Sequence, residues 1–242
     1  MSHAAPISLD ALDGLLLVDK PSGWTSHDVV AKIRRQFRIP KVGHGGTLDP
    51  MATGLLIILL GKATKISERI MSHDKTYEGI FRLGIETDSQ DADGQIVATR
   101  DPSAITADQI TAQMNARLGD QMQTPPMVSA VKINGVPLYK LARKGQTVPR
   151  PPKLIHIYHF TLRTYTPPDV HFQVACTKGT YVRTLAHDIG QALGAGAHLT
   201  QLRRTQIGQL TLANAHPLDT LLALPDLTPR IIPLATALPL MD

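Results

Sequence analysis

Gly-His-Gly-Gly-Thr-Leu-Asp-Pro-Met-Ala-Thr-Gly, residues 43–54, is the stretch most suited to chemistry. It places one acid, Asp49, among Gly43, Gly45, Gly46, Pro50 and Gly54. Glycine tolerates backbone angles that other residues avoid and lets a ligand approach the main chain. Proline fixes its own φ and restrains the residue before it, here Asp49. The apolar run 55–60 follows directly, long enough for a buried strand or helix segment. A lone carboxylate on a stiff turn, backed by the core, suits a nucleophile or a general base. A surface acid in an ordinary loop has the same spacing, because short motifs match by chance often.

Other familiar constellations fail. Gly54-x6-Gly61-Lys62 is two residues too long for a phosphate-binding loop, and Ala63 stands where Ser or Thr should hold magnesium. Ser89-Gln-Asp91-Ala-Asp93-Gly94 imitates a calcium loop, but Arg100 occupies the position of the bidentate Glu. His156-x2-His159 has no acidic helper in view, and no Cys-x2-Cys exists, which argues against zinc. Gly-x-Ser-x-Gly and Gly-x-Gly-x-x-Gly are absent. The expectation is an activity with no metal and no cofactor.

Elements must position Asp49. Residues 15–18 read as a strand. Thr25 and Ser26 cap a helix running to about Phe37, with Val29, Val30, Ile33 and Phe37 on its apolar face. Its other side carries Lys32, Arg34, Arg35 and Arg38, a charged face of the kind that is usually just solvated. Residues 77–83 and 95–98 read as paired strands. Thr106 starts a helix with Ile110, Met114 and Leu118 four apart, ended by Gly119. Residues 154–163 and 170–177 read as strands, 180–193 as a helix ended by Gly194, 206–212 as a further strand and 218–224 as a short helix. Helices and strands alternate irregularly, so the class is α+β.

Residues 124–152, together with Lys153, hold Lys132, Lys140, Arg143, Lys144 and Arg150 and no acid, spread along Pro/Gly-rich chain with an Asn134-Gly135 turn. Cations on flexible backbone can follow phosphates. The whole chain has 242 residues, 43% of them hydrophobic, with a net charge of +5 and a pI near 9.4. That is globular composition with a bias toward an anionic partner. One cysteine, Cys176, excludes an internal disulfide and fits a reducing cytoplasm. The N-terminal residues lack a leader pattern, and no apolar run approaches the ~20 residues that span a bilayer. A cytoplasmic protein with no membrane partner is expected.

Further blocks are 14–26 (Gly-Leu-Leu-Leu-Val-Asp-Lys-Pro-Ser-Gly-Trp-Thr-Ser), Lys75-Thr-Tyr77, Arg82 to Gly94, Lys178-Gly-Thr-Tyr-Val-Arg-Thr184 and Gly196 to Arg204. With 43–54 they resemble the bacterial tRNA pseudouridine-55 synthase family (TruB), in its order and spacing, over roughly residues 13–225. The resemblance implies a pseudouridine-synthase-like mixed β-sheet with flanking helices and a central catalytic cleft. It implies isomerisation of uridine-55 in the tRNA T-loop, on a base flipped out of the T-arm, with Asp49 as the essential nucleophile. Asp49 has three routes open to it: attack at C6, attack at C1′, or a glycal path. His44 matches the motif histidine that helps hold the flipped-out conformation. Tyr77 and Tyr181 face the uracil, Arg183 pairs with Asp49, and the backbone of Leu202 contacts the base. Arg203 and Arg204 reach phosphates, and Lys20 and Pro21 support the cleft.

In the same terms, residues 1–225 form the catalytic domain and 124–152 a thumb-like RNA-binding segment. Residues 226–242 are a short tail, with no complete PUA domain after them. The partner is tRNA through its T-arm stem-loop, and the protein is expected to be a monomer. Two competing readings are a non-catalytic tRNA chaperone using the same cleft, and the same fold acting on another RNA.

Overall fold

The computed structural model describes residues 12–241; residues 1–11, where the leader reading falls, and Asp242 lie outside the described residues. The chain divides into two compact units, one of residues 1–75 and 203–242 and the other of residues 76–202. The first stretch contains β1 (Gly14–Lys20), α1 (Ser26–Gln36), β2 (Val42–His44), β3 (Thr53–Leu60) and α2 (Ser67–Ser72). Then come β4 (Lys75–Leu83), β5 (Ile85–Thr87), β6 (Ile96–Thr99), α3 (Ala107–Asn115), β7 (Gly119–Gln123), β8 (Lys132–Ile133), β9 (Val136–Pro137) and α4 (Leu138–Ala142). They are followed by β10 (Lys153–Thr166), β11 (Asp169–Cys176) and α5 (Val182–Ala192). Strand β12 (Ala197–Ile207) leads into the last stretch, with β13 (Leu210–Thr211), β14 (His216–Pro217), α6 (Leu218–Leu222), β15 (Ile232–Pro233) and α7 (Leu234–Ala237). The class is α+β, as the irregular alternation predicts.

In the first unit β1 pairs antiparallel with β3 along its whole length, from Gly14 opposite Leu60 to Lys20 opposite Gly54. Strand β3 takes Arg203 and Arg204 of β12 as a parallel neighbour, and β1 takes β14 in parallel, so the sheet is mixed. Leu55 through Leu60 are all fully buried, which identifies the apolar run as a strand covered on both faces. One face joins Leu15, Leu17, Leu55, Ile57 and Leu59 with Ile70, Ile207 and Leu210. Helix α1 is capped as its sequence predicts: Thr25 and Asp28 form a reciprocal capping box. Val29, Val30 and Ile33 are its buried apolar residues, with Ser26 buried beside them.

The second unit builds its core on β4, β11 and β10. Phe172 meets Phe81 at 5.7 Å and Phe160 at 5.6 Å between ring centroids. Helix α3 lies against β10 and contributes Ile110 and Met114. The periodicity predicted that Leu118 would extend this helix. The helix instead stops at Asn115, Leu118 is exposed, and Gly119, with φ +83°, turns the chain into edge strand β7. A second difference concerns β6, whose partner is β5 and not β4. Gly84, at φ +89°, ends β4 and separates it from β5, the strand that β6 joins. The 95–98 reading was right as a strand but wrong about its neighbour. Asn134 and Gly135, both at positive φ, turn the β8–β9 hairpin as the Asn-Gly signal predicts.

The residues after 225 add to the first unit. Gly14 and Leu15 of β1 pair with Pro233 and Ile232. Ile232, Leu234 and Leu240 pack on the cluster around Leu15 and Leu17, and Ala237 is fully buried. Removing residues 228–242 is therefore expected to lower stability by about 3–5 kcal/mol, at ~1.5 kcal/mol for each aliphatic side chain removed. Urea denaturation of the shortened chain, followed by circular dichroism, measures this; an unchanged midpoint would contradict it.

Candidate active site

Asp49 stands in the connection between β2 and β3, within the first unit. Three side chains from three elements hold that connection by its main chain. Ser26, the first residue of α1, accepts from the Leu48 N–H at 2.8 Å and donates to the Leu48 carbonyl at 3.3 Å. Lys20, the last residue of β1, donates from Nζ to the Pro50 carbonyl at 3.2 Å, and the Gly23 N–H donates to the same oxygen at 2.9 Å. The residues on either side of Asp49 are thus both fixed. Arg204 of β12 donates from Nη2 to the Gly46 carbonyl at 3.1 Å, from Nη1 to Thr47 at 3.3 Å and from Nε to Leu55 at 2.8 Å.

Gly54 is required where the loop rejoins β3. Its φ is +96°, and a Cβ there would come within 2.4 Å of the Arg204 carbonyl. The Asp49 carbonyl accepts from the Ala52 N–H at 3.1 Å, which closes the turn containing Pro50.

The electrostatics are unusual for so small a region. Lys20 and Arg204 are both essentially excluded from solvent. Burial pulls the Lys20 ammonium down to about 8, the Asp49 charge opposes that fall, and Arg204 adds to it. Lys20 also donates to Pro21 at 2.9 Å and Trp24 at 2.6 Å, so all three of its bonds go to main-chain carbonyls. That agrees with a supporting role. His44 lies in β2, and its Nδ1 accepts from the Gly46 N–H at 3.3 Å, which leaves the proton on Nε2. Burial, then the Arg204 charge, then His27 hold the imidazole below its usual value. His44 is neutral at pH 7.

Tyr77, Tyr181, Arg183 and Leu202 belong to the second unit. Tyr77 is buried on β4 and Leu202 on β12. Tyr181 caps α5, with its N–H and C=O both bonded to the Gln123 side chain at 2.8 and 3.1 Å. The Arg183 guanidinium lies 5.9 Å from the Tyr181 ring centroid. It pairs with Asp91 at 3.2 Å, both side chains being almost wholly buried, and donates to the Ser89 carbonyl at 3.4 Å. Asp91 belongs to the stretch that imitates a calcium loop. Its work is to hold Arg183, and only its place beside α5 reveals that.

Two sequence expectations change. Arg204 is turned inward, onto the Asp49 loop, and not toward phosphates; Arg203 is bonded to Asp19 at 2.6 Å. His156 does have an acidic partner, Asp120 at 2.6 Å, supplied by β7, a strand the sequence did not announce. Ser26 was read only as a helix cap; its grip on Leu48 had no sequence signal.

The family model of the TruB family pseudouridylate synthase N-terminal domain matches residues 34–182. That of the tRNA pseudouridylate synthase B C-terminal domain matches residues 183–238. The chain belongs to the TruB family of pseudouridylate synthases. It is 54% identical over 230 residues to the tRNA pseudouridine synthase B of Opitutus terrae, covering 94% of this chain and 95% of that protein. It is 49% identical over 222 residues to that of Syntrophotalea carbinolica, covering 91% of this chain and 72% of that protein.

Among solved structures, it resembles a chain of a Cbf5-Nop10-Gar1 complex at 32% identity and a TM-score of 0.71. It resembles a chain of an H/ACA RNP bound to a substrate RNA containing 2′-deoxyuridine at 28% and 0.67. The chain covers 56% and 55% of those two. The boundary between the two family models falls at the start of α5, whereas the compact units meet within β4 and β12.

Lys20 gives a pH prediction with a fixed sign. Its folded value lies below the unfolded one, so between about 8 and 10.5 the unfolded chain holds more protons and stability gains with rising pH. Lys20→Met should remove that gain. Urea midpoints of both proteins from pH 7.5 to 10 read the difference, and parallel curves would contradict it.

Proposed function

We propose that the protein isomerises uridine-55 in the T-loop of tRNA to pseudouridine, with Asp49 as the reacting carboxylate. The observation that carries this reading is a lone acid gripped by its neighbouring main chain in a member of the TruB family. The similar proteins named tRNA pseudouridine synthase B support tRNA as the substrate.

The reaction breaks the bond from ribose C1′ to N1 of uracil and makes one from C1′ to C5. N1 gains a proton and C5 loses one, so atoms and electrons balance without a redox partner or metal. The base leaves the T-loop stack first, which costs a few kcal/mol. Neutral His44, presenting Nε2–H, suits a donor to the displaced RNA. Asp49 acts at C6, at C1′ or through a glycal, and each route requires it ionised.

Tyr77 and Tyr181 offer aromatic faces to the uracil, and the Leu202 backbone contacts it. Arg183, by its match to the same family, has the part of keeping the reacting carboxylate charged. The roles of these four rest on their match to the family's motifs. The protein works as a monomer in the cytoplasm.

Asp49→Asn keeps the shape of the side chain and removes its charge. It should cut turnover by on the order of 10⁴-fold while tRNA still binds. Carbodiimide mapping of treated tRNA shows whether pseudouridine forms and where. Modification at near wild-type rate would end the assignment, and modification at another position would change the substrate.

The segment 124–152 should supply affinity and not chemistry. Lys140, Arg143 and Lys144 are exposed on α4 and the turn after it. Changing all three to Ala should weaken binding and flatten its log–log salt dependence by about 0.7 for each phosphate no longer neutralised. Filter binding over a salt series tests this, and an unchanged slope would show that RNA is held elsewhere.

A further inference from the structure

We propose that Arg204 is a positioning residue for the isomerisation: its buried guanidinium ties together the two ends of the loop that carries Asp49 and so sets where the carboxylate stands. The inference rests on Asp49 being the reacting group.

Its bonds reach Gly46 and Thr47 at one end of the loop and Leu55 at the other. The planar fork of arginine carries its donors in a fixed relative geometry spread over three nitrogens, so it spans carbonyls from Gly46 to Leu55, whereas an ammonium gathers its partners around one point with rotatable donors. The backbone of the same residue contributes too. Arg204 lies in parallel register with Gly54, whose positive φ lets the strands close on one another. Its neighbour Arg203 bonds to Asp19 of β1 and, at 3.3 Å, to Thr53 of β3. The end of β12 is therefore locked to both strands that frame the loop.

A structural role alone explains this residue poorly. Burying a charge costs several kcal/mol, and an apolar side chain of similar volume would fill the space without that penalty. What the guanidinium adds is direction: three donors aimed at a loop with little regular structure of its own. It also places a fixed positive charge near Lys20, whose ammonium in turn interacts with the Asp49 charge. A shift of the reacting group by about 1 Å can cost about 10² in rate.

Arg204→Lys and Arg204→Gln test the role, with Leu218→Ala, a buried position on α6, as a control for reduced stability. Rates are taken by single-turnover tRNA modification at a temperature where circular dichroism shows each variant folded, and tRNA affinity by filter binding. Both Arg204 variants should lose roughly 10²-fold in rate with dissociation constants changed by about twofold or less, Arg204→Lys retaining more activity than Arg204→Gln. Leu218→Ala should lower the urea midpoint and keep its rate.

A wild-type rate in Arg204→Lys, or a loss no larger than that of Leu218→Ala, overturns the proposal. Asp49→Asn is run beside them. If it stays active, the reading of Asp49 falls and this proposal with it; if it is dead while Arg204→Lys is not, only the positioning role fails.

Discussion

The chain from Gly46 to Ala52 lies between two strands and belongs to neither, so its amides and carbonyls need partners from outside the sheet, whereas Gly45 just before it still bonds to β3 through Ile57. Buried main-chain polar groups left without partners destabilise a fold by about as much as a missing hydrogen bond. This constraint governs the first unit. The core has to deliver polar side chains to one place from β1, α1 and β12, and each arrives at or near the end of its element. Lys20 is the last residue of its strand and Ser26 the first of its helix. The apolar register of β1 on β3 decides where those ends fall, because a slip by one residue would turn every side chain to the opposite face.

Holding the loop with charged groups has an electrostatic consequence. Two buried cations, Lys20 and Arg204, sit near the acid of the loop. Lys20 responds by giving up part of its proton affinity, and His44 by remaining neutral. Geometry and ionisation are therefore set by the same side chains, and altering one alters the other.

Much of this was visible in the sequence, and what was not follows a rule. Thr25 and Thr106 announced their helices because capping is local: the cap and its partner lie three residues apart. The Asn134-Gly135 turn was legible for the same reason. Strand β12 was legible only at its end: the 206–212 reading caught Gln206 and Ile207 and ran on through the turn at Gly208 into β13. The positions before it include the buried Arg204, and a charged residue on a buried face erases the apolar alternation that marks a strand. Strand β7, Gly-Asp-Gln-Met-Gln, has no β-branched residue and gains its order from β10. The motif that contains Asp49 could be found from spacing, but its partners could not. Ser26, Lys20 and Arg204 are 23, 29 and 155 residues away, and no local pattern links them.

The second unit solves a similar problem in the same way. Gln90, held at a positive φ of 66°, accepts from Thr184 of α5 at 2.7 Å through its side chain and from the Leu199 N–H of β12 at 3.0 Å through its carbonyl. Asp91, next along, takes Arg183. A loop is again fixed by polar side chains at the start of a helix, and a buried arginine is again bonded to it. In both units apolar packing sets which residues are neighbours to within a strand register, about 3.3 Å. Hydrogen bonds of defined direction then set the remaining fraction of an ångström, the scale on which a reacting group succeeds or fails. Apolar residues of similar volume can often be exchanged in such a core at a cost below ~1.5 kcal/mol. The directional bonds have no such substitutes, since each needs one donor geometry at one distance.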